Sequence, residues 1–153
     1  MQTAAIVVGA LVVVALLVVF GLALTRSRRS LPSIRPLPSN LIQPYDSRLP
    51  ELERLFVSQP REAVAAAKLL VDDMLNRMGY PVRMGNDERV RDLRGRHRPL
   101  GEMYKRATSL KGEPTTEQLR RSLQEYLEIA RRLLVEASND AHSLARRREN
   151  DLA

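Results

Sequence analysis

The sequence contains no cysteine and no tryptophan, and aromatic residues make up only 4% of it. Without cysteine the chain has no disulfide and no thiolate for a zinc site, an iron–sulfur cluster or nucleophilic catalysis. Its two histidines, His97 and His142, have no partner at the spacing of metal ligands. Motifs typical of nucleotide-binding loops, zinc proteases and serine hydrolases do not occur. These absences predict a protein that is not an enzyme and holds neither a cofactor nor a metal ion.

An apolar run, residues 4–24, is the most prominent feature of the chain. It contains no charged side chain, and as an α-helix of about 21 residues it reaches roughly 31 Å, which matches a bilayer core of about 30 Å. By the positive-inside rule, the basic residues after it place the C-terminal side in the cytoplasm. We therefore predict a single transmembrane anchor over residues 1–25, in the plasma membrane, with the N-terminus outside. The arginines that determine this topology are Arg26, Arg28, Arg29 and Arg35.

Two other interpretations of this run remain open. A cleaved signal peptide normally has a positive N-terminal region and an apolar core of about 7–15 residues, whereas Met1-Gln2-Thr3 carries no charged side chain and the run is longer. A buried core helix this apolar requires a much larger protein around it. Within the run, Ala5 and Gly9 form one small-xxx-small pair, which leaves a homo-oligomer through the anchor as an option.

Proline is concentrated after the anchor. Because proline lacks an amide donor and clashes inside helices, no helix is expected between residues 26 and 50. We predict a basic, proline-rich linker over residues 26–49, whose arginines can also contact anionic lipid. The prolines concerned are Pro32, Pro36, Pro38, Pro44 and Pro50.

Residues 50–138 show helical periodicity and predict an all-α fold, a small cytoplasmic bundle of four to five helices. Pro60 suits the first turn of a helix that ends near Met78, where Gly79 is a natural C-terminal cap. Thr115 and Gln118 have the spacing of a capping box for the last helix. The apolar stripes expected to form the core are Val64, Ala67, Val71, Met74, Leu75 and Met78 in the first of these helices, and Leu119, Leu123, Tyr126, Ala130, Leu133 and Ala137 in the last.

Shorter helices are expected before and between these two, over 50–57, 87–93 and 99–110. The last helix is expected to end near Ser138-Asn139-Asp140, because such side chains compete with the helical backbone for hydrogen bonds. That leaves residues 139–153 as a polar C-terminal tail. Leu144 continues the apolar seam by one heptad into this tail.

Basic residues of the bundle are most concentrated between residues 89 and 98. Guanidinium groups bind phosphates and acidic partners, although a solvent-exposed arginine-rich loop without function has the same composition. No aromatic residue is interleaved with these arginines, which disfavours single-stranded nucleic acid as a partner. The candidate interaction loop consists of Arg89, Arg91, Arg94, Arg96, His97 and Arg98.

Carboxylates of the bundle lie three or four residues from basic side chains, which is typical of ion pairs on a solvated helix face. This spacing disfavours a catalytic pair of carboxylates. The expected pairs are Asp72 with Lys68, Asp73 with Arg77, and Glu128 with Arg131 or Arg132.

Residues 52–137 resemble an uncharacterised family of small helical proteins from actinobacteria that often carry an N-terminal membrane span. The resemblance implies an all-helical domain at an actinobacterial plasma membrane and brings no known activity. His97 matches a histidine in a segment of that family. The other matching residues are Phe56-Val57, Pro60, Ala63-Val64, Leu70-Val71, Gly79-Tyr80-Pro81, Tyr104, Ala107, Thr115-Thr116-Glu117, Leu119-Arg120, Leu123 and Tyr126.

Three hypotheses about function follow. The first is a single-pass membrane protein whose cytoplasmic domain is a non-enzymatic interaction or scaffold module for another protein. The second is a membrane-tethered binder of anionic phosphate groups, on lipid headgroups or nucleic acid. The third is an enzyme of an unrecognised kind.

The predicted topology can be tested with protease. Protease added to intact spheroplasts should leave residues 50–153 uncut, because the positive-inside rule places them in the cytoplasm. The fragments are followed by immunoblotting with a C-terminal tag, and permeabilised spheroplasts serve as the control. Digestion of the domain in intact spheroplasts would contradict the orientation.

Overall fold

The computed structural model describes residues 34–81 and 85–151, apart from the side chain of Glu149. The predicted anchor, residues 1–25, lies outside the described residues, and so do Arg26, Arg28 and Arg29. Within the described part of the chain, no helix combines the length and the apolar character needed to cross a membrane.

All regular secondary structure of the described residues is helical, as predicted. The second to sixth helices correspond to the predicted bundle. The six helices are α1 (Ser39–Asp46), α2 (Arg48–Ser58), α3 (Pro60–Arg77), α4 (Asn86–Arg94), α5 (Arg98–Ala107) and α6 (Thr116–Asp151).

Several helix boundaries are set by the local signals read from the sequence. Pro60 opens α3, where its missing amide costs no helical hydrogen bond. Gly79 follows α3 with a φ of 91°, in the left-handed region that L side chains avoid. The capping box of α6 is confirmed, since the Thr115 amide donates to Gln118 Oε1 at 2.8 Å and the Gln118 amide donates to Thr115 Oγ1 at 3.3 Å.

The prediction of a linker without helix is wrong for residues 39–46, which form α1. Pro38 precedes the first turn, and Pro44 lies inside the helix and removes one of its few hydrogen bonds. Tertiary packing compensates for this loss, because Tyr45 is only 5% exposed and burial of one face supplies most of the stability of short helices. The number of prolines in a segment does not reveal such tertiary packing.

The core lies between α3 and α6, with α2 packed on α3, and α1 and α5 packed on α6. The predicted stripes of α3 and α6 are confirmed, since every member of both is buried. α5 also packs against α4, so the two short helices close one side of the bundle. The residues with no exposed area are Ala63, Val71, Met74, Leu75, Leu93, Ile129 and Ala130.

α6 is longer than predicted, because it continues past residue 138 to Asp151. Once the packed part of a helix has formed, each further residue adds a hydrogen bond without a new nucleation cost. Residues 142–148 are all exposed, and Leu144 is 53% exposed. The apolar seam therefore leaves the core after Ala137, although the helix continues.

The contact between α4 and α5 depends on the absence of a side chain at Gly101. A Cβ atom there would lie 2.6 Å from Arg94 Cγ and 2.8 Å from the Arg94 backbone nitrogen. Substitution Gly101→Ala should therefore separate the two helices and lower the free energy of unfolding by about 1–3 kcal/mol.

The matched control is Gly85→Ala, where a Cβ would meet only Glu88 Cγ, at 3.9 Å. Urea unfolding followed by circular dichroism compares the two variants. Equal stability of both would contradict the close approach of α4 and α5.

Candidate functional site

The structure places the predicted interaction loop on two helices and the turn between them. Arg89, Arg91 and Arg94 belong to α4, and Arg98 opens α5. Arg96 and His97 lie in the connecting turn, where the His97 amide donates to the Leu93 carbonyl at 2.7 Å. The expected helices over 87–93 and 99–110 are confirmed as α4 and α5, so the term loop is correct only for the short turn between them.

Arg89 is removed from the surface altogether, with 1% of the residue exposed. Its NH1 donates to the Pro81 carbonyl at 2.7 Å and its NH2 donates to Asn76 Oδ1 at 2.9 Å. Its Nε lies 3.3 Å from Asp72 Oδ1 as an ion pair, although the geometry is not that of a hydrogen bond. A buried cation is tolerated only with such compensation, so Arg89 serves the fold and is not available to a partner.

Asp72 is the centre of this buried network. Its Oδ2 accepts from Lys68 Nζ at 2.6 Å and its Oδ1 accepts from the Tyr104 hydroxyl at 2.8 Å. The predicted pair with Lys68 is confirmed, but the Asp72 side chain is only 15% exposed, so the prediction of a solvated face is wrong here. The carboxylate joins α3 to α4 and α5 through Arg89 and Tyr104.

The other predicted ion pairs also form. Arg77 Nε lies 3.5 Å from Asp73 Oδ1, and Arg132 Nε lies 2.8 Å from Glu128 Oε1. Both pairs are about half-exposed, as expected for a helix surface. Pairs of this kind contribute little to stability.

Two tyrosines complete the packing around Asp72. The Tyr104 and Tyr126 rings meet edge to face with centroids 5.9 Å apart, a favourable arrangement of ring quadrupoles. Burial raises the pKa of Tyr104, and the Asp72 carboxylate raises it further. Lys68 Nζ lies 6.0 Å from the Tyr104 ring centroid, within range of a cation–π contact. Burial raises the pKa of Tyr126 as well, so both phenols stay neutral at physiological pH.

Another buried phenol, that of Tyr45, fixes α1. The Tyr45 hydroxyl donates to Asp73 Oδ2, and burial together with this hydrogen bond raises the pKa of Tyr45 to about 12. Because Tyr45 belongs to α1 and Asp73 to α3, the bond holds the first helix on the bundle.

The exposed basic surface is smaller than predicted. Arg94 Nε lies 2.9 Å from Glu102 Oε1, and this hydrogen-bonded pair lowers the pKa of Glu102. Arg96 is half-buried, while Arg91 and Arg98 are exposed. Arg35, the one topology residue among those described, is also exposed. Arg91 and Arg98 thus remain at the exposed surface of the segment.

A groove between α2 and α3 is a concave surface with mainly apolar walls. It has a volume of about 420 Å³, and Leu69 in its wall is 69% exposed. Sequence reasoning missed this groove, because Leu69 does not belong to the apolar stripe of α3. The groove is lined by Arg48, Glu51, Leu52, Leu55, Ala66, Leu69, Leu70 and Asp73.

No group of three or more histidine or carboxylate side chains that could hold a metal ion occurs in residues 34–81 and 85–151. Comparison of the chain with models of protein families, with curated proteins and with solved structures finds no match.

The buried network generates a stability prediction. Substitution Asp72→Asn keeps the size of the side chain but leaves the Arg89 cation without its counter-charge. The free energy of unfolding should fall by about 3–5 kcal/mol, as when one partner of a buried ion pair is removed. Urea unfolding of the full-length protein in detergent measures this change.

The control is Glu117→Gln, which breaks exposed pairs with Arg120 and Arg121. Its effect should stay below about 1 kcal/mol. A loss of the same small size for Asp72→Asn would show that the buried network is not essential to the fold.

Proposed function

We propose that the protein is a single-pass plasma-membrane protein whose cytoplasmic helical bundle is a non-enzymatic interaction module for another protein. The membrane part of this proposal rests on the apolar run 4–24 and the arginines that follow it. The interaction part rests on the groove between α2 and α3. The two parts are tested separately, since protease protection addresses only the first.

The groove supports protein binding because it combines apolar walls with an exposed leucine. Leu52 and Leu70 form its buried floor, while Leu69 remains 69% exposed at its edge. Transfer of an exposed apolar side chain from water into an interface stabilises the complex with the partner. A concave surface with charged residues at its margin is typical of a partner site.

The partner that fits this surface best is an amphipathic helix with apolar side chains at three- and four-residue spacing. Two parallel ridges of side chains, from α2 and α3, form the groove, and a third helix packs into such a groove with its own ridge. Arg48 and Glu51 lie at the margin, where they can pair with charges on the polar flanks of that helix.

The hypothesis of a binder for anionic phosphate groups remains the second candidate. Arg91 and Arg98 are exposed and can contact phosphate oxygens. However, Arg89 is committed to Asp72 and Arg94 is paired with Glu102. The basic surface that favoured this function from the sequence is therefore smaller than its composition indicates.

Photocrosslinking in native membranes tests the interaction module. A photoreactive aromatic residue at position 69 should form an adduct with one protein, because Leu69 borders the groove. The same residue at position 135 is the control, since Val135 is also apolar and 60% exposed but does not line the groove. The variant Leu69→Arg should reduce recovery of that protein by about tenfold or more, the effect of roughly 1.4 kcal/mol.

Identical adducts at both positions would contradict a partner site in the groove. Adducts only with lipid at position 69 would contradict it as well. Neither result would affect the predicted topology.

A further inference from the structure

α3 and α6 run in the same direction through the bundle. Their first turns lie together, since Pro60 and Glu62 share a surface depression with Pro114, Thr116 and Leu119. Their later parts also lie together, because α3 and α6 pack against each other and Glu136 interacts electrostatically with the Tyr80 hydroxyl. The C-terminal end of α3 and the later turns of α6 are therefore at one end of the bundle.

The chain enters the bundle at this same end. The Arg35 amide donates to the Met78 carbonyl at 2.9 Å, and Leu37 is buried at 3% exposure. Residues 34–38 are thus fixed beside the last turn of α3. We call this end of the bundle, which contains Arg35, Met78 and Tyr80, the entry end.

The last part of α6 extends beyond the entry end. From Glu136 to Asp151 the helix continues for 15 residues, which is about 22 Å at 1.5 Å per residue. We call residues 142–151 the C-terminal arm. The side chains of residues 142–148 are all exposed, so the structure shows no tertiary packing that explains them.

The arm carries three consecutive arginines, Arg146, Arg147 and Arg148, next to the 53% exposed Leu144. Successive helical residues are about 100° apart, so Arg147 and Arg148, three and four residues after Leu144, share its face of the helix, whereas Arg146 lies on the opposite face. Glu149 and Asp151 follow these arginines in the chain, and their negative charges weaken the attraction of the arm to an anionic surface. Arginine beside an exposed leucine is nevertheless a combination typical of helices that lie at a membrane interface.

The covalent chain limits the distance between the entry end and the apolar run. Ten Cα-to-Cα steps separate Leu24 from Ile34, which corresponds to about 35 Å at full extension. The part of α6 from Glu136 to Asp151, about 22 Å long, covers more than half of that greatest distance.

We propose that the C-terminal arm docks on the anionic lipid surface of the membrane that holds the anchor. This inference rests on the proposed membrane anchor. Arg147 and Arg148 contact lipid phosphates, and Leu144, on the same face of the helix, inserts among the headgroups. The groove between α2 and α3 is not part of this contact and remains open to the protein partner.

Site-specific fluorescence tests the docking, and the absence of cysteine allows a single label at each position. Full-length protein is reconstituted into vesicles that contain a headgroup-attached quencher. The label is placed on the arm in the variant Ser143→Cys, and at the opposite end of the bundle in the variant Thr116→Cys. With anionic phospholipid at about 0.15 M salt, quenching at position 143 should exceed quenching at position 116 several-fold. With zwitterionic phospholipid alone, this difference should disappear.

A triple substitution, R146Q/R147Q/R148Q, should abolish the excess quenching at position 143. The matched control R61Q/R120Q/R121Q removes three exposed arginines at the opposite end and should leave the quenching unchanged. Circular dichroism verifies that both variants keep their helical content.

Equal quenching at positions 143 and 116, or quenching that survives the triple substitution, would overturn the proposal. Flotation of the vesicles separates this failure from failure of the anchor. If the protein does not float with the vesicles, both the anchor and the docking are overturned. If it floats but position 143 is not quenched, only the docking is overturned.

Discussion

The bundle depends on the compensation of one buried cation. The guanidinium of Arg89 is almost fully removed from water, and three groups surround it: the Asp72 carboxylate, the Asn76 amide oxygen and the Pro81 carbonyl. Desolvation of an arginine is costly, so these groups must be held in place together. Because Asp72 also binds Lys68 and Tyr104, this requirement fixes the mutual positions of α3, α4 and α5.

The same compensation decides which charges remain at the surface. Once Arg89 pairs with Asp72 and Arg94 pairs with Glu102, the arginine-rich segment contributes mainly to packing of α4 and α5. Among the described residues, the groove at Leu69 and the C-terminal arm are two surfaces that these ion pairs do not explain. They lie on different parts of the domain, so one can serve a protein partner while the other contacts lipid. This division is the basis of both proposals.

Local signals predicted much of the fold. Pro60, Gly79 and the pair Thr115–Gln118 act through their own backbone or through residues within one helical turn, so their effects can be read from a single segment. α1 was missed because burial of Tyr45 outweighs the cost of Pro44. The candidate site was predicted less well, because residues 89 to 98 share a composition but differ in burial.

The sequence by itself determined the helical class, most helix boundaries and the apolar stripes, because each depends on spacing within about four residues. It also contains the apolar run on which the proposed anchor rests. Only the tertiary structure decided that Arg89 is buried, that Leu69 borders a groove and that α6 passes the entry end. These properties depend on contacts between residues far apart in the chain, such as Asp72 with Arg89 and Tyr104. No local pattern specifies such contacts, since they arise when several helices bury their apolar faces together.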